Sequence, residues 1–178
     1  MRFLACTSAV MLVTTLVVAS GCNFVSEDPK TVAIRDQIVS RVPIEGAITL
    51  TELAKSIAAI ESSDVEVESV RVTLVGRIFA GALEPWEPGK ASFVLSELPA
   101  EGHGEGHDAD NCPFCKRRAA KAPHGIVKFV DEKNEILSID ARKLLGVAKD
   151  DRVTVRGTAI ADQFGSLVVT ADQIYIAK

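Results

Sequence analysis

The chain has 178 residues, of which 47% are hydrophobic and 25% are charged. These proportions are typical of a globular protein and exclude a disordered, collagen-like or coiled-coil chain. The length accommodates one domain of ordinary size and a tail, which excludes a large multidomain enzyme. Lys and Arg total 20 against 24 Asp and Glu, a net charge of -4, so bulk electrostatic attraction to nucleic acid is not expected.

Residues 1–21 have the composition of a targeting signal, with one early cation, Arg2, followed by an apolar run over 3–19 that several Thr and Ser residues dilute. This run falls short of the roughly 20 strongly apolar residues that a membrane span needs, and it is typical of a secretory signal. Its end, Val-Ala-Ser-Gly-Cys at 18–22, resembles the lipobox of bacterial lipoproteins. The resemblance implies cleavage before Cys22, acylation of Cys22 and a membrane-anchored, extracytoplasmic place in the cell envelope. The alternative is an ordinary signal peptide followed by an incidental cysteine.

Residues 22–45 follow as a polar tether, although the stretch 32–42 carries enough apolar residues to dock on a neighbouring surface. Residues 46–178 form the domain. It begins with a helix predicted over 51–60, where apolar residues recur with helical spacing and where Thr49 or Thr51 can cap the first turn.

The remainder of the domain is predicted to be short strands. Apolar and polar residues alternate within 65–79, which is typical of a half-buried strand. Further strands are predicted over 91–98, 126–130, 152–160 and 166–176. Segment 136–139 is predicted either to extend the 126–130 strand or to form a separate one, and one or two helical turns are predicted at 141–147.

This order of elements resembles an OB-fold, and the sequence over 144–159 and 165–176 is similar to the helix-to-final-strands half of bacterial OB-fold domains. The resemblance implies a mainly β fold, a small five-stranded barrel with a short helix and an N-terminal helical segment. Closing the sheet removes exposed strand edges and buries the alternating apolar face. A β-sandwich built from the same strands is the alternative.

An insertion at 99–124 carries most of the unusual chemistry. All three histidines of the chain lie in it. So do Cys112 and Cys115, the two cysteines that belong neither to the predicted signal nor to the predicted lipidation site. Imidazole and thiolate are ligands that suit zinc or copper, and metal binding can order a glycine-rich segment that is costly to order otherwise. The predicted metal ligands are His103, His107, Cys112 and Cys115, with His124 as a possible replacement for one of them.

The Cys-Pro-Phe-Cys sequence at 112–115 has competing explanations. It is similar to the active-site motif of glutaredoxins, and a cysteine at a helix start beside cations has its thiolate stabilised, so a thiol-disulfide redox role is an alternative. With Lys116 the pair also resembles a rare lysine-type haem attachment motif. A plain disulfide closing a small loop fits an oxidising compartment.

Trp86 and the basic run at 116–118 can each be explained by a structural role or by a binding role. Trp86 is expected to pack against the end of the barrel, the alternative being a ligand-stacking residue. The basic run at 116–118 is expected to be a solvated helix face, the alternative being contact with nucleic acid.

The sequence therefore predicts a lipid-anchored extracytoplasmic protein with a non-catalytic role in metal binding, with zinc or copper, or in interaction with a protein partner. An enzyme is the less favoured class, and nucleic acid is not expected as a partner, which leaves a nucleic-acid-binding OB module as the last alternative. The partners implied are the membrane, through Cys22, and an unidentified protein.

Overall fold

The computed structural model of the chain describes residues 27–61, 69–98, 112–113, 117, 123–161 and 166–177. The helices and strands in these ranges are α1 (Pro29–Ile38), β1 (Val39–Ser40), α2 (Leu50–Glu61), β2 (Val70–Ile78), β3 (Ser92–Ser96), β4 (His124–Phe129), α3 (Ala141–Leu145), β5 (Arg152–Ala161) and β6 (Leu167–Ala177). Of the helices described, none has the length and hydropathy needed to cross a bilayer.

Strands β2 to β6 close into a barrel. β2 pairs with β3 and β3 with β4 in antiparallel fashion, β4 runs parallel to β6, and antiparallel β6–β5 and β5–β2 ladders complete the circuit. This order, with a short helix between β4 and β5, confirms the predicted OB-like barrel. It is a single continuous ladder, so the alternative of two stacked sheets in a β-sandwich is wrong. The segment 136–139 adds one bridge, Ile136 to Val130, to the end of β4.

The barrel interior is filled by the apolar face that the alternation predicts. In β2 the buried positions alternate with half-buried ones, and Phe93 of β3 contacts Phe129 of β4 with ring centroids 6.5 Å apart. Side chains from α2 and α3 join the same core. Its largest fully buried members are Phe93, Phe129, Leu50, Leu53, Leu74, Ile78, Leu95, Leu144 and Ile174.

A reciprocal capping box fixes the start of α2. The Thr49 backbone N–H donates to Glu52 Oε2 at 2.8 Å, and the Glu52 N–H donates to Thr49 Oγ1 at 3.1 Å. Two amides at the helix start are thereby satisfied. Of the two threonines that the sequence offers as caps, Thr49 is the one that forms the box.

The segment just before the domain is folded onto the barrel. β1 pairs in parallel with β6, and α1 is held to α3 by Arg35, whose Nε and Nη2 donate to the carbonyl oxygens of Leu144 and Lys143, each at 2.7 Å. Ile34 and Ile38 pack against the core. The docking expected of residues 32–42 therefore takes the form of a helix and a strand, and the folded body includes the described residues from 27 onward.

Closure of the barrel depends on a tight approach between β5 and β6. The register shifts between Arg156 and Gly157, which is a β-bulge. A Cβ at Gly157 would lie 2.3 Å from the Thr170 carbonyl oxygen and 2.8 Å from Ala171 Cα. Both obstacles are backbone atoms, so neither can rotate away, and only glycine fits.

We expect Gly157→Ala to lower the free energy of unfolding by about 2 kcal/mol or more, because the new methyl forces the two central strands apart. The measurement is the urea unfolding midpoint. Thr158→Ala, one residue along the same strand, is the control and should cost less than about 1 kcal/mol. Equal midpoints for wild type and Gly157→Ala would contradict this explanation of the bulge.

The short helix α3 is held by one carboxylate. Asp140 Oδ1 accepts from the Arg142 backbone N–H at 3.0 Å, and both carboxylate oxygens bind the Arg142 guanidinium, at 2.9 Å from Nε and 2.7 Å from Nη2. These bonds, chiefly those of the guanidinium, lower the pKa of Asp140 from 3.8 to about 2. The carboxylate is thus favoured in the folded protein.

We expect Asp140→Ala to destabilise the protein by about 1 kcal/mol at neutral pH, the usual cost of losing an N-cap. Because the pKa of Asp140 is lower in the folded protein than in the unfolded chain, its contribution is complete above about pH 4 and is lost as the pH falls through about 2. Unfolding curves of wild type and variant should therefore converge between these values. A stability difference that stays constant down to pH 2 would contradict the assignment.

Candidate functional site

The insertion leaves the barrel and returns to it at one rung of the sheet. β3 ends at Ser96, β4 begins at His124, and these two residues are register partners. The 97–123 connection therefore starts and finishes at neighbouring positions of an antiparallel pair. Because the ladder is complete at that rung, the strand pairing of the barrel needs no contribution from the insertion.

The base of the insertion is fixed on its N-terminal side. Ser96 is 2% exposed, and its Oγ donates to the Phe79 carbonyl oxygen at 2.6 Å. The next residue, Glu97, accepts through Oε2 from the backbone N–H and Oγ1 of Thr51, at 2.9 and 3.0 Å. The carboxylate thus lies in the first turn of α2, where the helix dipole favours a negative charge. The insertion emerges from a rigid corner between β3 and α2.

His124 is the predicted ligand whose place the structure describes most fully. In β4 the buried positions are Gly125, Val127 and Phe129, so His124 lies on the opposite, outer face of the strand, half-buried. Its imidazole is therefore at the base of the insertion rather than in the core. This location is compatible with a ligand role and also with a simple packing role at the stem.

The other predicted ligands are described only in part. Cys112 is half-buried, and Pro113 and Arg117 have helical backbone, as expected if the basic run lies on a helix. His103, His107 and Cys115 lie outside the described residues. Within the ranges that the structure describes, no three His, Cys, Asp or Glu side chains come together as a metal-binding group.

Trp86 packs against the barrel. Its ring meets that of Phe93 edge-to-face at a centroid distance of 6.2 Å, and the Arg142 guanidinium lies 5.8 Å from the Trp86 ring centroid. The ring is only partly buried, so its outer edge remains accessible. Packing, as the sequence suggests, is the role that these contacts support. Arg117 in the basic run is exposed, as expected of a solvated helix face.

The structure also reveals an exposed apolar row that the alternation did not predict. The register places Val94, Ile126, Val168 and Ile160 side by side across β3, β4, β6 and β5 on the outer face of the barrel. Ile126 is 46% exposed and Ile160 38%. The only signal in the sequence is a run of consecutive apolar residues, as at 126–127, which indicates apolar groups on both faces of a strand.

No protein-family model matches the chain, and the comparison with curated proteins finds no relative. The class of protein is therefore defined by structure: a small closed OB-like barrel with a histidine- and cysteine-bearing insertion between its second and third strands.

Proposed function

We propose that this chain is a lipid-anchored extracytoplasmic protein whose insertion binds one zinc or copper ion in a non-catalytic role. The observation that carries the proposal is the concentration of all three histidines and of Cys112 and Cys115 within 103–124. The start of that segment is polar, and Gly102, Gly104 and Gly106 alternate there with other residues, His103 and His107 among them. Imidazole and thiolate are the ligands of structural zinc and of copper sites.

The base of the insertion supports this proposal. The rung formed by Ser96 and His124 brings the chain back to its starting point, and Glu97 is held on α2. A metal ion can therefore order the insertion without rearranging the barrel. Binding would supply the free energy that a glycine-rich segment lacks.

The proposed ligand set is His103, His107, Cys112 and Cys115, with His124 available at the stem. Four protein ligands around zinc form a closed site, whereas catalytic zinc keeps one position for water. A structural or metal-sensing role is therefore favoured over catalysis. Because copper outcompetes zinc at equal geometry, supply rather than affinity decides which ion is bound.

We expect the reduced protein to bind about one Zn²⁺ per chain, with release of protons as the thiols ionise. Affinity should therefore fall as the pH is lowered. Cys112→Ser/Cys115→Ser should abolish binding, and so should oxidation of the pair to a disulfide. The measurements are metal stoichiometry after dialysis and calorimetry in two buffers of different ionisation enthalpy.

The control in this experiment is the barrel itself. Because the insertion closes at a complete rung, the thermal unfolding midpoint of the metal-free double variant should equal that of the metal-free wild type. His124→Gln tests whether the stem histidine is a ligand. If the reduced wild type takes up no metal at micromolar concentration, the metal proposal is overturned. A measurable exchange of the Cys112–Cys115 pair with an external dithiol would then favour the thiol-disulfide alternative.

The lipid anchor is the second half of the proposal, and it is supported by the small residues that precede Cys22 after an apolar run. Two or more acyl chains on one residue make a stable membrane anchor, which a single chain does not.

We expect Cys22→Ser to move the protein out of the membrane fraction or to leave it unprocessed. Cys6→Ser is the matched control, since Cys6 lies within the proposed signal and should leave localisation unchanged. Intact mass of the mature protein provides the direct measurement. An unmodified N-terminus at any residue other than Cys22 would disprove the anchor.

A further inference from the structure

Residue 27, which belongs to the folded body, lies only five residues after the proposed acylation site, so the length of the chain limits the distance between the body and the membrane. Glu27 binds Arg35 through both carboxylate oxygens, at 2.7 Å each, so the chain is already fixed at residue 27. Five residues of fully extended chain reach at most about 18 Å. A body of about 150 residues has a radius of gyration near 15 Å and is therefore roughly 35–40 Å across. The chain between Cys22 and residue 27 can therefore span less than the diameter of the body.

A chain of contacts, called the strip below, links this attachment point through α3 to the 80–90 loop. Arg35 joins Glu27 to the carbonyl oxygen of Lys143 in α3. The neighbouring Arg142 has its guanidinium 5.8 Å from the Trp86 ring centroid. The loop that carries Trp86 is held to the start of α3, since the Ala141 N–H donates to the Lys90 carbonyl oxygen at 3.1 Å.

The same loop exposes the most accessible large apolar side chain among those described. Leu83 is 72% exposed, and it lies in the turn closed by the hydrogen bond from its own N–H to the Ala80 carbonyl oxygen. A leucine held outward in this way buries little of its apolar surface against the barrel. Beside a bilayer it can enter the interface, where partly buried tryptophan and the long side chains of arginine and lysine are also favoured.

We infer that the lipid surface is the partner of this strip: α1 at its N-terminal end, α3 and the 80–90 loop face the membrane, with Leu83 in the interface. The inference rests on the proposed lipid anchor at Cys22. The headgroup layer takes up roughly 5–8 Å of the available reach, which leaves about 10 Å between the headgroups and residue 27. The strip lies at the membrane, and it does not include the exposed apolar row across β3, β4, β6 and β5.

Trp86 reports this orientation, because it is the single tryptophan of the chain. The experiment uses the acylated full-length mature protein on phosphatidylcholine vesicles with and without a lipid that carries a nitroxide on its headgroup. We expect the headgroup nitroxide to quench Trp86 fluorescence, and Leu83→Glu to lower that quenching at least twofold. Val42→Glu is the matched control: Val42 is 67% exposed, follows β1 and takes part in none of the contacts that define the strip, so its replacement should leave quenching unchanged.

A second variant tests the reach directly. A Gly/Ser linker of about 24 residues inserted between residues 26 and 27 has a root-mean-square length near 27 Å and should also lower quenching at least twofold. Unchanged quenching in the linker variant or in Leu83→Glu, or a loss of similar size in Val42→Glu, would overturn the inference. Vesicle flotation separates this failure from failure of the anchor. Protein that floats without quenching disproves the orientation alone, whereas protein that does not float disproves the anchor itself.

Discussion

The pairing of strand β6 closes the barrel, and the other features of this protein depend on that closure. It pairs with β5 along nearly its whole length, runs parallel to β4, and accepts β1 beside its C-terminal half. The β5–β6 ladder bends at a bulge where Gly157 lies against the backbone of Thr170 and Ala171. With the circuit closed, five strands lose their free edges, and one apolar interior receives side chains from α2 and α3. The insertion and the N-terminal segment are both attached to that closed frame.

The closed barrel bears both ends of the insertion on one rung of its sheet. A connection of 27 residues would be costly to place inside a small domain, because its backbone groups would need buried partners. Here it leaves from Ser96 and returns at His124, which pair with each other. Of the predicted metal ligands, His124 is therefore placed at that rung, on the outer face of β4.

Residues 27–40 of the N-terminal segment are attached to the same closed barrel, and this attachment affects where the whole molecule can lie. A polar stretch that follows a lipidation site is expected to let a domain move well away from the membrane. Arg35 limits that freedom by joining Glu27 to the last turn of α3. Together with the β1–β6 pairing and the packing of Ile34 and Ile38 on the core, it makes residues 27–40 part of the folded body. In a lipid-anchored protein, the surface next to that attachment would be the surface nearest the bilayer.

The order and type of the barrel elements could be predicted from the sequence, because alternation in a strand and helical spacing in α2 are local properties. The concentration of histidine and cysteine at 103–124 is likewise visible in the sequence alone.

Local patterns do not reveal which strands pair, so the exposed row at Ile126 and Ile160 emerged only from the register. They also gave no indication that Arg35 would bind carbonyl groups more than 100 residues away, which depends on α3 being brought to α1. The sequence by itself determined a series of half-buried strands in the order typical of a small barrel, and a chemically distinct insertion between two of them. Only the tertiary structure decided where that insertion is rooted and how much of the tether is folded, because both depend on pairing between distant parts of the chain.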